Sequence, residues 1–575
     1  MPNEDNPKGG VHLNWGFGEA RGHSPAARRE ADVPFELLIV GDFGGARDGR
    51  VRDISSEDFQ SLLASFGAAV TMAVPNRLGS TPPALAVNLP IASMRDLDPK
   101  AAGARIPEIV AAQKLAAAFA EGRSADFETL AADRKLDLVV TALRRTAPAK
   151  SASAAPASPP ATVDDGALDR LLGMIDMPGE PARPDPAKAA VAAFISAQAK
   201  PQAPAATGSA SAIEALVLAQ IREAVADPAW LGIEAAWRSL RLIFTARGQR
   251  AASRLSLCDV ERDALVTAME SDAFAEALAE APPMRAILVL GAFARSPKDL
   301  DELDRVALVA ERLATPAIVS LAADFLGAPP QDVAAMDDPA ALLEAPGYAA
   351  WRGLRSRVES RSLLAAWNDF VLRPNAGEAP VLWGEPGIIV AAQILRSLVR
   401  TGWPTEILGA ESALGGLDVV ETTVGGRAAA IPLRAAPDLT RARDLAEEGL
   451  ACLMARPDRD QVWLTRAPCL YAQGRAAETD RKAMEILNSL PFGFVSAYFE
   501  HLLRAESALF AKDRSDEQAA DALQTLLNDV LLTTGQGGAA RVESFEEEGR
   551  RRFEATIRLG GAVLGGFDFS FDFAL

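Results

Sequence analysis

A stretch rich in proline, alanine and serine at residues 146–163 divides this chain of 575 residues. Such a composition cannot bury enough apolar surface to offset the entropy of folding, and its prolines favour extended backbone. The hydrophobic content of the whole chain, 49%, is ample for packed cores on either side. We therefore predict a small domain at 1–145, a linker at 146–167, a helical region with flexible spacers at 168–209, and a larger core at 210–575.

The pattern of apolar residues predicts an α+β fold for the small domain. Val33–Val40 is a β-branched and aliphatic run, which indicates a buried strand that stops at Gly41-Asp42. Ser55–Ser65 predicts a helix that begins at a serine cap. The remaining elements are short strands at Val70–Val74 and Ala84–Leu89 and helices at Ile106–Glu121 and Phe127–Leu143.

The larger core shows the strand and helix order of an α/β fold. Ala286–Leu290 and Ala317–Leu321 predict strands on either side of a helix at Lys298–Ala314, which indicates a βαβ unit with a parallel strand pair. Further helices are expected at Leu363–Phe370, Ile388–Val399 and Thr440–Met454. The expected fold class is thus mixed, with a small α+β domain joined to a larger α/β core.

Two tryptophan–glycine pairs lie about one helix length apart in the larger core. Trp383-Gly384 precedes a mostly aliphatic helical segment, and Gly402-Trp403 follows it. Small glycines beside large flat rings favour close packing of chain against chain. We predict core-packing roles for these four residues and for Trp237, which lies on the apolar face of another helix.

Composition excludes several classes of function. A net charge of −18 and a pI of about 4.9 disfavour binding to nucleic acid or to anionic lipid. The three histidines and three separated cysteines provide no catalytic dyad and no metal-ligand spacing. No apolar run reaches the roughly 18–20 residues that span a bilayer, and the N-terminus lacks a signal-peptide core. We expect a cytoplasmic protein with no enzymatic activity, cofactor or metal.

Two local motifs could hold an ion. Gly41–Gly45 (GDFGG) could form a backbone nest for an anion, but it lacks the GK[ST] of a P-loop, so a tight turn at a strand exit is the favoured interpretation. Four acidic residues lie between Asp299 and Asp304, directly after Ser296-Pro297. At a helix start they complement the helix dipole, which is a simpler explanation than a metal site.

A block of charge near the C-terminus joins Glu546–Glu548 to Arg550–Arg552. It predicts a solvated helix face with ion pairs between residues four apart. The alternative is an electrostatic contact between subunits.

The C-terminal sequence FDFSFDF alternates strictly, with Phe567, Phe569, Phe571 and Phe573 at every second position. It is either an edge strand of its own domain or a strand that pairs with a neighbouring subunit, because an unpaired edge is a template for another chain. A similar choice concerns Leu168–Ile175, a short amphipathic helix between flexible stretches. That helix either docks locally or is recognised by a groove on a partner.

Several of these segments resemble the sheath subunits of bacterial type VI secretion systems. The first part resembles the small subunit (TssB-like or VipA-like) in Val11–Trp15, in Val33–Gly45 (VPFELLIVGDFGG) and in Val74-Pro75-Asn76. The rest resembles the large subunit (TssC-like or VipB-like), most specifically in Val381–Leu417 and also in Glu234–Phe244.

The resemblance implies a fused protomer that stacks with its own copies into a helical sheath around an inner tube protein, on a baseplate, and contracts. It also implies that neighbours exchange terminal strands, at Val11, Leu13 and Trp15 and at Phe567, Phe569, Phe571 and Phe573. The apolar face of the helix that an AAA+ unfoldase, ClpV, uses to recycle contracted sheaths is matched by Leu168, Leu171, Leu172 and Ile175.

The chain departs from the family pattern in its fusion, in a shorter large-subunit part, and at Leu372–Gly377 (LRPNAG), which replaces a leucine-proline-tyrosine-glycine segment. Fusion and shortening favour an alternative function, a baseplate or adaptor protein that reuses sheath domains without contracting. An enzyme with a carboxylate site is a third possibility, but no motif supports it.

Overall fold

The computed structural model describes residues 12–15, 34–121, 123–146, 207–248, 253–279, 282, 284–472, 484–505, 514–533, 538–547, 550–559 and 568–574. The strands are β1 His12–Trp15, β2 Phe35–Gly41, β3 Val51–Asp53, β4 Ala69–Pro75, β5 Ala84–Pro90, β6 Ser253–Asp259, β7 Met284–Val289, β8 Ala317–Ser320, β9 Leu363–Trp367, β10 Phe370–Arg373, β11 Leu382–Gly384, β12 Val420–Val424, β13 Arg427–Ile431, β14 Leu450–Ala455, β15 Val462–Leu464, β16 Gly538–Glu547, β17 Arg550–Leu559 and β18 Asp568–Ala574.

The helices are α1 Phe59–Phe66, α2 Pro99–Gly103, α3 Pro107–Ala120, α4 Ser124–Ala131, α5 Asp137–Thr146, α6 Thr207–Val225, α7 Pro228–Arg247, α8 Leu265–Glu270, α9 Asp272–Ala279, α10 Pro297–Arg312, α11 Pro330–Ala335, α12 Ala349–Arg355, α13 Pro386–Thr401, α14 Leu439–Glu447, α15 Leu490–Ala505 and α16 Asp516–Thr533. Helices and strands alternate through much of the chain, which confirms the mixed fold class.

The largest sheet has eight strands in the order β15-β14-β9-β8-β7-β2-β6-β3. The six inner strands are parallel to one another, and each edge strand is antiparallel to the strand beside it. β2 lies between β6 and β7, with Phe35 in register with both Ser253 and Met284. All seven β2 residues are buried, as expected for a strand covered on both faces. A strand from the first part of the sequence therefore lies inside a sheet built mostly from the second part.

Helices cover both faces of this sheet. On one face, α8, α9 and α10 pack through Leu265, Phe274 and Val306 in the same core as Leu38 and Val40 of β2. On the other face lies α13, in which twelve of the sixteen residues are buried. A Cβ atom on Gly387 of α13 would lie 3.3 Å from the side chains of Ile318 and Leu288, so this helix approaches the sheet closely. The predicted βαβ unit is confirmed as β7-α10-β8.

Several sequence predictions of secondary structure were wrong in type, extent or cap. Leu363–Phe370 contains strand β9 rather than a helix, because a short buried run has the same apolar pattern in either state. Thr440–Met454 divides into α14 and strand β14. Phe127–Leu143 divides into α4 and α5 around a 3₁₀ turn. Helix α1 is capped by Asp58, whose carboxylate accepts from two backbone N–H groups, and not by a serine.

The chain forms two compact units, and the smaller one comprises Ala73–Leu85 and Gly103–Glu223. Among the described residues it contains α3, α4, α5 and most of α6. Asn76 organises its first turn, since the side-chain oxygen accepts hydrogen bonds of 3.0 Å from the backbone N–H groups of Leu78 and Gly79. The polar turn is thus held by one amide side chain.

Candidate functional site

The carboxyl end of β2 is where an open α/β sheet usually binds a ligand, because the following strands diverge to its two sides there. This end carries the GDFGG turn, in which Gly44 has a φ of +71°. The carboxylate of Asp259, at the end of β6, accepts hydrogen bonds from the backbone N–H groups of Phe43 (2.8 Å) and Arg47 (2.9 Å). Burial raises the pKa of Asp259 above its usual range despite these bonds. The nest suggested by the sequence is therefore filled by the chain's own carboxylate.

A second carboxylate occupies the neighbouring strand exit. The backbone N–H of Gly291, just beyond β7, lies 2.9 Å and 3.0 Å from the two carboxylate oxygens of Glu385. Part of the Glu385 side chain remains accessible, but desolvation of its carboxyl group raises its pKa to about 7. Like Asp259, this carboxylate is bound by a backbone N–H group of the chain itself.

The acidic run after Ser296 is part of the helix start, as predicted. Ser296 caps α10 and its hydroxyl accepts from the backbone N–H of Asp299 at 3.1 Å. Arg262 binds Glu302 at 2.6 Å and Asp299 at 3.3 Å. Within the described parts of the chain, no group of three or more His, Cys, Asp or Glu residues is arranged to hold a metal ion.

The tryptophan–glycine pairs lie at close packing points. A Cβ atom on Gly384 would lie 2.4 Å from the ring of Phe370, so only glycine fits without a shift. Gly402 ends α13 with a φ of +78°, and Trp403 is buried. Trp383 is half-buried, with the guanidinium of Arg434 4.2 Å from the centre of one of its rings.

Trp237 is fully buried in the larger unit. Its Nε1 donates a hydrogen bond of 2.9 Å to the carbonyl oxygen of Phe43, and its ring packs edge-on against Phe43 and Phe66. Helix α7, which carries Trp237, is therefore tied directly to the GDFGG turn.

The same helix carries a buried ion-pair network that sequence reasoning missed. Glu234 is fully buried and accepts from Arg373 (2.6 Å), Arg238 (2.8 Å) and the Nε1 of Trp230 (3.2 Å). Arg373 also donates to the carbonyl oxygen of Pro380 at 3.1 Å. The sequence signal for this network is weak, since Arg373 lies 139 residues away from Glu234.

Strands from near both ends of the sequence form a second sheet, with the order β1-β18-β17-β16. β17 pairs antiparallel with β16 and β18, whereas β1 pairs parallel with β18, from His12↔Ser570 to Trp15↔Phe573. The outer strand on one side thus comes from the opposite end of the sequence. An edge built in this way is suited to exchange between copies of the chain.

The predicted exchange residues lie partly in this sheet. Leu13 and Trp15 are in β1, and Phe569, Phe571 and Phe573 are in β18, opposite Ile557, Ala555 and Phe553 of β17. Val11 and Phe567 lie outside the described residues, as do Leu168, Leu171, Leu172 and Ile175 of the predicted unfoldase-binding helix.

The charge block near the C-terminus is a strand pair, and its prediction as a helix face was wrong. Glu546 is opposite Arg551, and Glu547 is opposite Arg550, across β16 and β17. Apolar and polar residues alternate in the two segments on either side of Glu548-Gly549. This alternation indicates a β-hairpin, but the run of charged residues obscured it.

Comparison with known families matches two parts of the chain. Residues 21–124 match the family described as type VI secretion system, VipA, VC_A0107 or Hcp2. Residues 209–381 match the VipB family, described as EvpB/VC_A0108, tail sheath N-terminal domain. The chain therefore carries both sheath-subunit types of the type VI secretion system, a VipA-type part and a VipB-type part, in one polypeptide. The VipA-type match contributes β2 and β3 to the eight-stranded sheet, and the VipB-type match contributes β6, β7, β8 and β9, so both parts share one core.

Other comparisons add little to this sheath protein's identity. No curated protein matches it. Two solved structures of the anti-feeding prophage baseplate are similar to it. One, 6-fold symmetrised, has 12% identity and a TM-score of 0.34, and covers 56% of this chain and 72% of that chain. The other, in the contracted state, has 16% identity and a TM-score of 0.32, and covers 55% and 76%. Among the described helices, none is long and apolar enough to cross a membrane.

Proposed function

We propose that this sheath protein is the repeating unit of a contractile tube that polymerises around an inner tube protein, rests on a baseplate and contracts to drive the inner tube outward. The observation that carries the proposal is the presence of both sheath-subunit matches in one chain, at residues 21–124 and 209–381. Because these families are structural components, the protein's role in this proposal is mechanical and not catalytic. The energy of contraction is stored in the extended lattice at assembly.

Neighbouring copies in this proposal are joined by exchange of β1. Among the described residues, the strand contributes four to the terminal sheet, where its neighbour is β18. Residues 16–34, which connect it to β2, could extend over roughly 60 Å. The same pairing can therefore form within one chain or between two chains, which is the condition for strand swapping.

Main-chain hydrogen bonds suit a joint that must survive a large rearrangement. Each contributes about 0.5–1.5 kcal/mol net, so a four-residue strand is a modest link in isolation and a strong one when repeated along a tube. The eight-stranded sheet and its helices would move as a rigid body. We assign Trp237, Trp383, Gly384, Gly402 and Trp403 to holding that body together. The close approach at Gly384, the ring contacts of Trp237 and Trp383, and the burial of Trp403 support this role.

After contraction, recycling would need a handle for an unfoldase. We propose that Leu168, Leu171, Leu172 and Ile175 form the apolar face that the AAA+ unfoldase ClpV binds. The proline- and alanine-rich sequence on both sides supports this role, since such a composition provides little apolar surface that could cover the helix. Leu172→Glu is expected to weaken binding in a pull-down with ClpV. Unchanged binding would show that the helix is not the handle.

Electron microscopy of the purified full-length chain tests the main proposal. We expect long tubes from the unmodified chain and none after deletion of Phe567–Leu575, which removes β18. Deletion of Pro156–Pro160 within the linker is the matched control, since it alters neither match and should leave tubes intact. A folded chain that gives only rings or discrete particles would instead favour a baseplate or adaptor role.

A further inference from the structure

The outer edge of β16 is bound by side chains of helix α16. Asn528 accepts from the backbone N–H of Ala540 at 2.9 Å and donates from its side-chain amide to the carbonyl oxygen of the same residue at 3.2 Å. One turn earlier, the side-chain oxygen of Gln524 accepts from the backbone N–H of Val542 at 3.2 Å. Ala540 and Val542 are both buried.

These bonds imitate a neighbouring strand. In an antiparallel ladder, one residue exchanges both an N–H and a C=O bond with the strand beside it, and then the pattern repeats two residues later. Asn528 supplies both bonds to Ala540, and Gln524 supplies the next one. Since β17 uses the opposite edge of β16, the amide pair Gln524 and Asn528 occupies the positions where another strand would add.

The two edges of the terminal sheet therefore have different partners. The β18 edge takes β1, a strand from the far end of the sequence, whereas the β16 edge is held by a helix from the same segment. An exposed edge of ten residues, such as Gly538–Glu547 would present, is a template for unwanted pairing. In a polymer, two open edges would allow two incoming strands per sheet.

We propose that Gln524 and Asn528 make the terminal sheet a one-sided acceptor, which admits a β1 strand of its own or a second copy only at β18. This inference rests on the proposed strand exchange and adds its direction. The β16 edge then takes no incoming strand, so strand addition at this joint is confined to the β18 side of the sheet.

Peptide binding to the full-length protein tests this. The probe is a fluorescent peptide of residues 8–17 (KGGVHLNWGF), with stoichiometry measured by native mass spectrometry. The unmodified chain should bind none, because β1 pairs with one edge and α16 binds the other at Ala540 and Val542. The double variant Gln524→Ala/Asn528→Ala should bind one peptide. Thr525→Ala is the matched control, since its hydroxyl bonds only to the carbonyl of Asp521 within α16, and it should bind none.

A second arm separates the inference from the proposed strand exchange. The variant Leu13→Pro/Asn14→Pro places two adjacent prolines in β1, so one backbone donor is lost whichever of the two residues faces β18. This variant should bind one peptide. The variant that combines these prolines with Gln524→Ala/Asn528→Ala should bind two. No peptide on the proline variant would contradict strand pairing at β18.

Hydrogen exchange decides the remaining outcomes. In Gln524→Ala/Asn528→Ala, the amides of Ala540 and Val542 should exchange faster than in the unmodified chain. Faster exchange without peptide binding would show that the bonds are local only and would overturn the one-sided acceptor. Asn528→Leu, which keeps the side-chain volume, replaces the double variant if circular dichroism shows that alanine unfolds α16.

Discussion

Trp237 and Phe43 are joined by a hydrogen bond of 2.9 Å from the indole Nε1 to the backbone carbonyl oxygen, although 194 residues separate them in sequence. The bond connects a helix of the VipB-type match to the strand-exit turn of the VipA-type match. The two matches are therefore linked by a buried polar contact as well as by strand pairing in one sheet.

Trp237→Phe should destabilise the protein. The substitution leaves the buried carbonyl of Phe43 without its donor and removes part of the ring, which costs about 1–3 kcal/mol. Chemical denaturation measures the change in the free energy of unfolding. Trp383→Phe is the control, since its ring is half-buried and stacks with Arg434, a contact worth about 0.5–1 kcal/mol. Equal losses for the two variants would contradict a special role for the Trp237 bond.

Arg373→Met should cost about 3 kcal/mol of unfolding free energy, because it leaves Glu234 buried with less compensation. The value lies at the low end of the range for broken buried pairs, since Arg238 and Trp230 still bind Glu234. The double variant Glu234→Gln/Arg373→Met should recover part of the loss. Thermal unfolding of the single and double variants measures this coupling, and simple additivity of the two losses would refute it.

Gly384→Ala should destabilise by about 1–3 kcal/mol, because the new methyl group would lie 2.4 Å from the Phe370 ring. The matched control is Gly232→Ala in helix α7, where an added Cβ meets no atom within 4 Å. That change should stabilise the helix by about 0.5–1 kcal/mol. Melting temperatures that move in the same direction for both variants would disprove this packing argument.

Glu385 predicts a pH dependence of stability. Its pKa rises from the ordinary 4.5 to about 7 in the folded state, so between these values the folded protein holds a proton that the unfolded chain has lost. The contribution of the protonated Glu385 carboxyl to the free energy of unfolding is fully present below pH 4.5. It is lost as pH rises through 7, which lowers that free energy by up to about 3 kcal/mol. Glu385→Gln should match the unmodified protein at pH 4.5 and exceed its stability at pH 8. A constant difference across this range, measured by urea unfolding, would rule the account out.

Local sequence predicted those elements whose pattern is unambiguous. The run before Gly41 and the aliphatic segment between the tryptophan–glycine pairs were predicted within a few residues as β2 and α13. β9 was missed because its five residues are all buried, so no periodicity separates a strand from a helix.

Contacts that depend on tertiary packing could not be predicted from local sequence patterns. Asp259 fills the GDFGG turn from 216 residues away, and nothing near Gly41–Gly45 indicates an internal carboxylate instead of a bound anion. Asn528 and Ala540 are close in sequence, but their bonds depend on how α16 packs on β16. The predicted domain boundaries at 145 and 210 remain a proposal.

Disulfide cross-linking tests strand exchange most directly. Asn14 and Asp572 are register partners in the β1–β18 pair, so Asn14→Cys/Asp572→Cys can join the strands. The native cysteines at 258, 452 and 469 are buried, which limits side reactions. In oxidised, assembled protein we predict a ladder of covalent multimers on a non-reducing gel, collapsing to one band with reductant. Cross-linked monomers alone, from preparations that contain tubes, would show that β1 stays on its own chain and would contradict the exchange.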